Sequence, residues 1–586
     1  MVEPALRAGS TTNYGFYLLN PCYTRRLLGL GFNPSVFAIE RCIRVIPFNL
    51  ENSELKTVIE VEVHQQLRAF LKEQGEPYWL HHLTMARLVA RALRLGRSAL
   101  IQVGAPSGYH GRYRLSYLMP ALIWHEPVIL VVSEALQQRL LKVEIPRLRQ
   151  WIPTHKAIRT GDRWIGDGFQ GVLLTSPQAW LSDRLHSRNR FPDNIVTLID
   201  GVDDLETWVR HQLTYKIDAQ AWEELMLAYP AHIDAIRDAR VRLTRSAFQH
   251  PTNPYNCNLL DAEDQQIVLD LLHQLTGTPS SHPEVPLPLS AQLMPLSNLL
   301  PEAWREFGQR LTSENHIAWA EVSRRQGQVT MHCEPSDVSP FLQQIWHRQP
   351  VVLVGSALDL EPEARIFRQR LGLDDTITCL KFSPDRQNEI IQLYLPDRLP
   401  LPNTPQFQGA MLQEIRTILT ATGNLQGLTV ILVGDVPLKA QVGSVLAGEF
   451  GSRVQVERTC LDDRGILVTG WEFWREHQTV LPSPQILIIA TLPIPSLENP
   501  LVAGRVAYYK RNRQDWFRLY LLPEALSELQ RAIAPIRETQ GLVALLDNRV
   551  NYRSYGQQVL TALSPMARIN YIDASVLEQV DYSVMD

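Results

Sequence analysis

The sequence predicts an α/β protein built on parallel sheets, because short apolar runs alternate with segments of helical periodicity. Val128–Val132 and Gly171–Thr175 are almost continuously apolar, which is typical of parallel strands buried on both faces. Five further runs of this kind follow between Val351 and Leu546. The 586 residues exceed what a single hydrophobic core supports, so we expect two or more domains.

The composition narrows the class of protein. A hydrophobic content of 45% and a charged content of 20% predict a soluble globular chain in the cytoplasm. No apolar run reaches the roughly 18 residues of a membrane span, so no membrane partner is expected. The net charge of −4 neither favours nor excludes nucleic acid. The six cysteines include no CxxC pair, which favours reduced thiols over a metal or iron–sulfur site.

The stretch from Ala99 to Pro120 resembles a phosphate cradle, because a buried strand runs through a glycine-rich turn into an apolar helix. The pattern GxxxxGK[ST] is nevertheless absent, and Tyr113 and Arg114 stand where Lys and Ser/Thr would be. A tight structural turn and a residual nucleotide pocket therefore both stay open. The candidate nucleotide-binding residues are Gly104, Gly108, Gly111, Arg112, Tyr113 and Arg114.

A second candidate site follows the strand Ile195–Asp200, which ends in the acids Asp200, Asp203 and Asp204. Acids at the carboxyl end of a parallel strand are suited to a divalent ion, with a solvated loop as the alternative. Asp200 is the candidate metal ligand.

The predicted organisation begins with an extension at 1–57, loosely ordered or serving as a docking arm. A first sheet domain follows at 58–210, then a helical insert with a Pro-rich connector at 211–285. The first domain resumes at 286–375, the second covers 376–577, and a tail ends the chain at 578–586.

Several stretches after Val58 resemble the DinG/XPD-type branch of superfamily-two DNA helicases. The position of the family's P-loop is occupied by ALIQVGAPSGYHGRYRLSYLMPAL, and that of its DEAH box by LIDGVDDLE. The family motif that ends in Ser-Ala-Thr-Leu corresponds to VVLVGSALDL. The most specific block begins at FRLYLLPEALSELQRAIAPIRETQGLVALLDNRV. The resemblance implies two RecA-like domains, the first carrying the helical insert, with ATP and Mg²⁺ between them and single-stranded or forked DNA across them.

The resemblance also implies roles for individual residues. Asp200 would organise Mg²⁺, and Arg537 stands at the second arginine of the final motif, so both are candidate catalytic residues. Departures from the family pattern are concentrated in its chemistry: Gly201 replaces the catalytic Glu and Ala534 the first arginine. The four cysteines of the family's iron–sulfur cluster are absent, so no cluster is expected.

The candidate nucleic-acid contacts combine family positions with a basic run. Trp474 could stack on bases or pack between domains, and the run RVAYYKRNR could touch a strand or form a plain surface. The candidates are Ser133, Gln137, Trp474, Lys510, Arg511 and Arg513.

These patterns predict a nucleic-acid-binding helicase homologue with weak or lost ATPase activity. One alternative is an active ATP-dependent DNA helicase with a non-standard nucleotide site. The other is a non-catalytic scaffold or regulatory subunit that binds a protein partner.

Overall fold

The computed structural model describes residues 58–75, 78–152, 156–277, 300–423, 425–462 and 464–572. The predicted extension at 1–57, the tail at 578–586 and most of the Pro-rich connector lie outside these residues.

The first lobe contains seven described strands, which form a parallel sheet in the order β11-β1-β10-β5-β2-β4-β3. Its strands are β1 Ala99–Gln102, β2 Val128–Val131, β3 Ile158–Thr160, β4 Val172–Thr175, β5 Thr197–Asp200, β10 Val351–Gly355 and β11 Thr378–Lys381. Its helices are α1 Ile59–Gln74, α2 His82–Leu95, α3 Ala105–His110, α4 Leu115–Ile123, α5 Glu134–Arg139, α6 Ile145–Trp151, α7 Pro177–His186, α8 Leu205–Leu213, α13 Ser339–Arg348 and α14 Arg365–Arg370.

The insert lies between α8 and α13 in the chain. Its described strands form an antiparallel sheet in the order β6-β9-β8-β7. Its elements are β6 Tyr215–Ile217, α9 Ala219–Ala228, α10 Ile233–Gln249, β7 Cys257–Leu259, α11 Ala262–Thr276, α12 Glu302–Leu311, β8 His316–Ser323 and β9 Gln328–Pro335. The insert was predicted as helical over 211–285. The structure adds the long β8–β9 hairpin, which carries it to Pro335.

The second lobe contains another parallel sheet of seven described strands, in the order β14-β15-β13-β16-β17-β12-β18. Its strands are β12 Ile391–Tyr394, β13 Thr429–Leu432, β14 Val454–Val456, β15 Ile466–Thr469, β16 Ile486–Ile489, β17 Leu542–Leu545 and β18 Met566–Ile569. Its helices are α15 Phe407–Ala421, α16 Val436–Phe450, α17 Trp471–His477, α18 Pro500–Arg511, α19 Leu522–Ala532, α20 Ala534–Glu538, α21 Arg549–Tyr552 and α22 Gly556–Leu563.

Local sequence explains how strands give way to helices. Ser133, Ser176 and Asp435 cap α5, α7 and α16, each accepting a hydrogen bond from a backbone N–H of the first turn. The central strands are buried along their whole length, as their apolar runs predict. The predicted parallel α/β fold class is confirmed.

The boundary between the lobes lies later than the predicted position at 376. Strand β11 pairs with β1 at the edge of the first sheet, so it extends that lobe to Lys381. The second sheet begins at Ile391. A short polar strand at a sheet edge has too weak a pattern to be assigned to one sheet from its sequence.

Each of the three parts has its own core, and each core contains a completely buried tryptophan. Trp180 lies in the first lobe, Trp304 in the insert and Trp474 in the second lobe. No helix in the described part of the chain is both long and apolar enough to cross a membrane.

Candidate functional site

The glycine loop connects β1 to α4 at the carboxyl edge of the first sheet. Gly104 and Gly111 have φ values of 85° and 63°, which side chains other than glycine rarely adopt. Between them lies the short helix α3, and a 3₁₀ turn at 112–114 follows Gly111. The loop therefore has the turns of a phosphate cradle, but its first helix is only six residues long.

The carboxylate of Asp200 is enclosed by side chains from this loop. Tyr113 donates its hydroxyl to Oδ1 at 2.5 Å and Tyr117 donates to Oδ2 at 2.8 Å. The Nε atom of Arg114 lies 3.8 Å from Oδ2. Asp200 itself is 4% exposed, and burial raises its pKa against the opposing effects of Arg114 and the two hydroxyls.

The side chain of Arg114 fills the space that the loop encloses. A methyl group added to Gly111 would lie 2.1 Å from the centre of the Arg114 guanidinium. The same guanidinium pairs with Glu144 of the first lobe at 3.3 Å. The guanidinium of Arg114 thus lies inside the glycine loop.

A magnesium ion at Asp200 would require carboxylate oxygens without competing donors. Both oxygens accept a tyrosine hydroxyl, and a guanidinium lies beside them, so these residues do not fit the ion. The described residues also contain no group of three or more His, Cys, Asp or Glu side chains placed to hold a metal.

The neighbouring acid Asp203 has a structural role. It accepts hydrogen bonds from the backbone N–H groups of Ser356 and Ala357 at 2.8 and 2.7 Å, and from the Ser356 hydroxyl at 2.9 Å. These contacts hold the loop after β10 against the loop after β5. Asp203 therefore has little capacity left for an ion.

The two lobes meet directly at the glycine loop. Ala105, Ala357 and Ala534 form a small buried cluster at this contact, which we call the alanine seam. Tyr109 packs against the alanine seam and donates its hydroxyl to the Gln478 carbonyl at 2.8 Å. Small side chains let the backbones of the two lobes approach closely at the point where their edges face one another.

Ion pairs surround the alanine seam and also join the lobes. Arg531 of the second lobe pairs with Asp204 of the first at 2.9 Å, and Arg112 pairs with Glu538. Arg370 of the first lobe contacts Glu524 of the second. A further pair links the insert to the second lobe, where Arg505 lies 2.9 Å from Glu334.

An open cavity of about 670 Å³ lies beside the glycine loop. Arg112, Arg139 and Glu538 are among its lining residues. Because Arg112 is paired with Glu538, the cavity contains both charges of an ion pair between the lobes.

Several proteins of known sequence match this chain over part of its length. No protein-family profile matches it. The ATP-dependent DNA helicase YoaA of Haemophilus influenzae is 24% identical over 278 residues, covering 44% of this chain and 43% of the relative. DinG of Bacillus subtilis, a 3′-5′ exonuclease, is 22% identical over 295 residues, covering 46% and 31%. The matches thus span less than half of the length of these curated relatives.

Solved structures match over a larger share of the chain. Xpd4 from S. tokodaii superposes with a TM-score of 0.53 at 12% identity, covering 84% of this chain and all of that one. A second structure of an XPD helicase gives the same TM-score at 11% identity. The chain is thus similar in sequence to YoaA and DinG over part of its length, and it shares the fold of the XPD structures.

Arg537 is a buried residue of α20 that also lines the cavity beside the glycine loop. Its guanidinium donates to the carbonyls of Glu389, Leu563, Ser564 and Pro565. It is 3% exposed, and burial lowers its pKa to about 10. These contacts give Arg537 a structural role, and its predicted catalytic role stays a prediction.

Trp474 also departs from its predicted role. The ring is completely buried in the core of the second lobe, and its Nε1 donates to the Ala532 carbonyl at 3.0 Å. A stacking contact needs an exposed ring face, so the predicted base contact is corrected to packing.

Two residues at the start of α5 that were predicted to contact nucleic acid make hydrogen bonds to nearby backbone groups. The Ser133 hydroxyl caps the helix, and the buried Gln137 donates to the Val132 carbonyl at 3.1 Å. Ser133 stays exposed at a helix N-terminus, but Gln137 has its amide donor turned inward.

The basic run in the second lobe contacts the insert along α18. Arg511 donates to the Glu314 carbonyl, and Lys510 lies 5.4 Å from the Trp516 ring centroid. Arg513 is exposed, and its guanidinium makes no hydrogen bond or ion pair within the described residues. Part of the run is therefore a contact between domains.

Sequence reasoning missed two of the residues that define the site. Tyr117 lies four residues after Tyr113, a spacing that places both hydroxyls on one side of the helix start and could have been recognised. Arg531 pairs with an acid 327 positions earlier, for which the sequence carries no signal.

Proposed function

We propose that this chain is a nucleic-acid-binding DinG/XPD-like helicase homologue whose ATPase centre has been lost. The observation that carries the proposal is the enclosure of Asp200 by Tyr113, Tyr117 and Arg114. In the family pattern this acid organises Mg²⁺, whereas here its oxygens accept hydrogen bonds from the chain itself.

The missing chemistry supports the same proposal. Phosphoryl transfer in P-loop enzymes needs a Lys and a metal ion on the phosphates, a positioned water and an arginine that stabilises transition-state charge. Tyr113, Gly201 and Ala534 stand at three of these positions. Loss of the arginine alone costs about 10³ to 10⁵ in rate. Together these losses leave no group that activates water.

Single-stranded or forked DNA is the proposed partner. The printed names of the YoaA relatives describe DNA helicases, and the two lobes of this chain keep the parallel sheets of that family. A strand that binds across the lobes needs the fold and basic side chains but no nucleotide. Strand binding can therefore survive the loss of the ATPase centre.

An active helicase with a rearranged nucleotide site is the second candidate, with ATP and Mg²⁺ as its cofactors. It would require Arg112 or Arg114 to replace the missing Lys. Arg112 pairs with Glu538, and Arg114 with Glu144 and Asp200. Both arginines would have to exchange these partners for phosphate, which makes this candidate weaker.

The proposal is tested by measuring ATP hydrolysis with Mg²⁺, with and without single-stranded DNA, alongside binding of a labelled 20-mer. We expect no turnover above the background of an Asp200→Asn variant, and binding that weakens steeply with salt. DNA-stimulated turnover that Asp200→Asn abolishes would establish the active helicase instead. If the chain shows neither turnover nor strand binding, a protein scaffold becomes the better interpretation.

A further inference from the structure

The basic residues of the insert are concentrated in two neighbouring elements. Residues 215–335 contain nine Lys and Arg against fifteen Asp and Glu, so the insert as a whole is acidic. Six of the nine cations nevertheless lie on α10 or in the turn between β8 and β9. These six, which we call the arginine face, are Arg237, Arg240, Arg242, Arg245, Arg324 and Arg325.

The helix α10 turns its arginines away from the core. Its buried face consists of Ile236, Ala239, Leu243 and Ala247, which pack into the insert. At 3.6 residues per turn, Arg237 and Arg245 lie on the side away from this stripe, and the half-exposed Arg240 lies beside it. The exposed side also carries the acids Asp234 and Asp238, so the four arginines of α10 outnumber its acids by two.

The hairpin turn adds two arginines at the end of the helix. Arg324 donates to the carbonyls of Phe248 and His250, and its guanidinium lies 5.6 Å from the centroid of the Phe248 ring. These contacts fix the turn beside the C-terminus of α10. Arg325 follows directly and is exposed.

Most of these cations have no partner within the described residues. The guanidinium groups of Arg237, Arg240, Arg242, Arg245 and Arg325 make no hydrogen bond or ion pair there. The arginines between the lobes are paired instead, as the contacts of Arg370, Arg505 and Arg531 illustrate. The arginine face therefore has positive charge available for an external ligand.

A groove of about 660 Å³ borders part of this face. Of the six arginines, Arg240 and Arg245 line it, together with Gln328 and Thr330 of β9. Strand β6 pairs with β9 only over residues 331–333, so this part of β9 has no strand partner on that side in the described chain. The acid Asp218 also lines the groove, but it pairs with Lys216 at 3.1 Å.

We propose that the arginine face of the insert binds the phosphate backbone of a nucleic-acid strand. This inference rests on the proposed function and locates a second contact, separate from the lobes. Arg237 and Arg245 are about 12 Å apart along the helix axis, so they reach different phosphates of a bound strand. Guanidinium groups bind phosphate oxygens through paired N–H donors.

The positive charge of the arginine face favours the phosphate backbone of a nucleic acid as its ligand. The groove contains no exposed aromatic ring for base stacking, because Trp222 is buried and Phe248 is covered by Arg324. Contacts to phosphates alone are independent of base sequence. The expected ligand is therefore a strand of any sequence, bound in a salt-dependent way.

The test compares binding of a labelled single-stranded 20-mer to the full chain and to two triple variants. The first carries Arg237→Gln, Arg240→Gln and Arg245→Gln. The charge-matched control carries Arg159→Gln, Arg163→Gln and Arg188→Gln, three exposed arginines of the first lobe without ion pairs in the described chain. Thermal unfolding of both variants should match the wild type, since exposed substitutions change stability by less than about 0.5 kcal/mol.

We expect the first variant to bind roughly tenfold to hundredfold more weakly at 0.1 M salt, with a salt slope smaller by about 2. The control should keep wild-type affinity and slope. If wild-type chain binds the strand and both variants bind equally well, the arginine face is not a contact and only this inference fails.

Two other outcomes would also be decisive. If the wild-type chain binds no strand under any salt condition, the proposed function fails and this inference with it. If polyglutamate competes for the arginine face as strongly as an oligonucleotide of equal charge, the ligand is an acidic protein segment and the nucleic-acid assignment is overturned.

Discussion

At the scale of single residues, Asp200 shows how side chains of the protein itself can stabilise a buried carboxylate. Burial of an unpaired charge costs several kcal/mol, so a buried carboxylate needs donors. Tyr113 and Tyr117 supply neutral donors, and Arg114 supplies the compensating charge. The acid is thus a buried residue whose two oxygens both have hydrogen-bond donors.

Removing one hydrogen-bond donor of the Asp200 carboxylate should lower the free energy of unfolding. In a Tyr113→Phe variant the Oδ1 atom of Asp200 loses its hydroxyl partner while the ring keeps its packing. We expect the free energy of unfolding to fall by about 1 to 3 kcal/mol, measured by urea denaturation. Tyr78→Phe is the matched control, because Tyr78 is 59% exposed and should change stability by less than about 0.5 kcal/mol. Equal effects of the two substitutions would contradict the role assigned to Tyr113.

At the scale of elements, the short helix α3 is placed by close contact with the loop after β10. A methyl group at Gly108 would lie 2.5 Å from the Cβ atom of Ser356. Ser356 is held in turn by Asp203, so it cannot easily move away. The glycine is therefore needed for packing between two loops of the first lobe.

This contact predicts opposite effects for two glycines that both lie in helices. Gly108→Ala should lower the free energy of unfolding by about 1 to 3 kcal/mol, because the added methyl overpacks the contact. Gly448→Ala in α16 should raise it by about 0.5 to 1 kcal/mol, since nothing lies within 4 Å of the added methyl and alanine favours the helix. Both values can be measured by chemical denaturation. Stabilisation by Gly108→Ala would show that α3 is not packed as described.

At the scale of the whole molecule, the two lobes are held together by the chain's own contacts. The alanine seam, the Tyr109 hydrogen bond and the Arg531–Asp204 pair all join the lobes around the glycine loop. The lobes thus meet directly through side chains of both.

Breaking the Arg531–Asp204 ion pair should weaken the contact between the lobes. Arg531→Gln removes the pair with Asp204, whose side chain is half exposed, so we expect a loss of about 1 kcal/mol and a larger radius of gyration by small-angle scattering. Arg475→Gln is the control, because Arg475 pairs with Glu528 within the second lobe. An unchanged radius for Arg531→Gln would mean that the pair does not hold the lobes.

The sequence by itself determined the two parallel sheets. Apolar runs and capping residues act over a few neighbouring positions, so each strand and helix start could be recognised from its own letters. The replacement of Lys by Tyr113 and of Glu by Gly201 could be recognised in the same way.

Only the tertiary structure decided which contacts the residues at these positions make. The antiparallel sheet of the insert, the enclosure of Asp200, and the buried positions of Arg537 and Trp474 depend on contacts between residues far apart in the chain. Such contacts arise from how the sheets and helices dock, and no local pattern encodes them. For that reason the sequence predicted the strands and loops that carry the candidate residues, and the packing of the lobes decided which contacts those residues make.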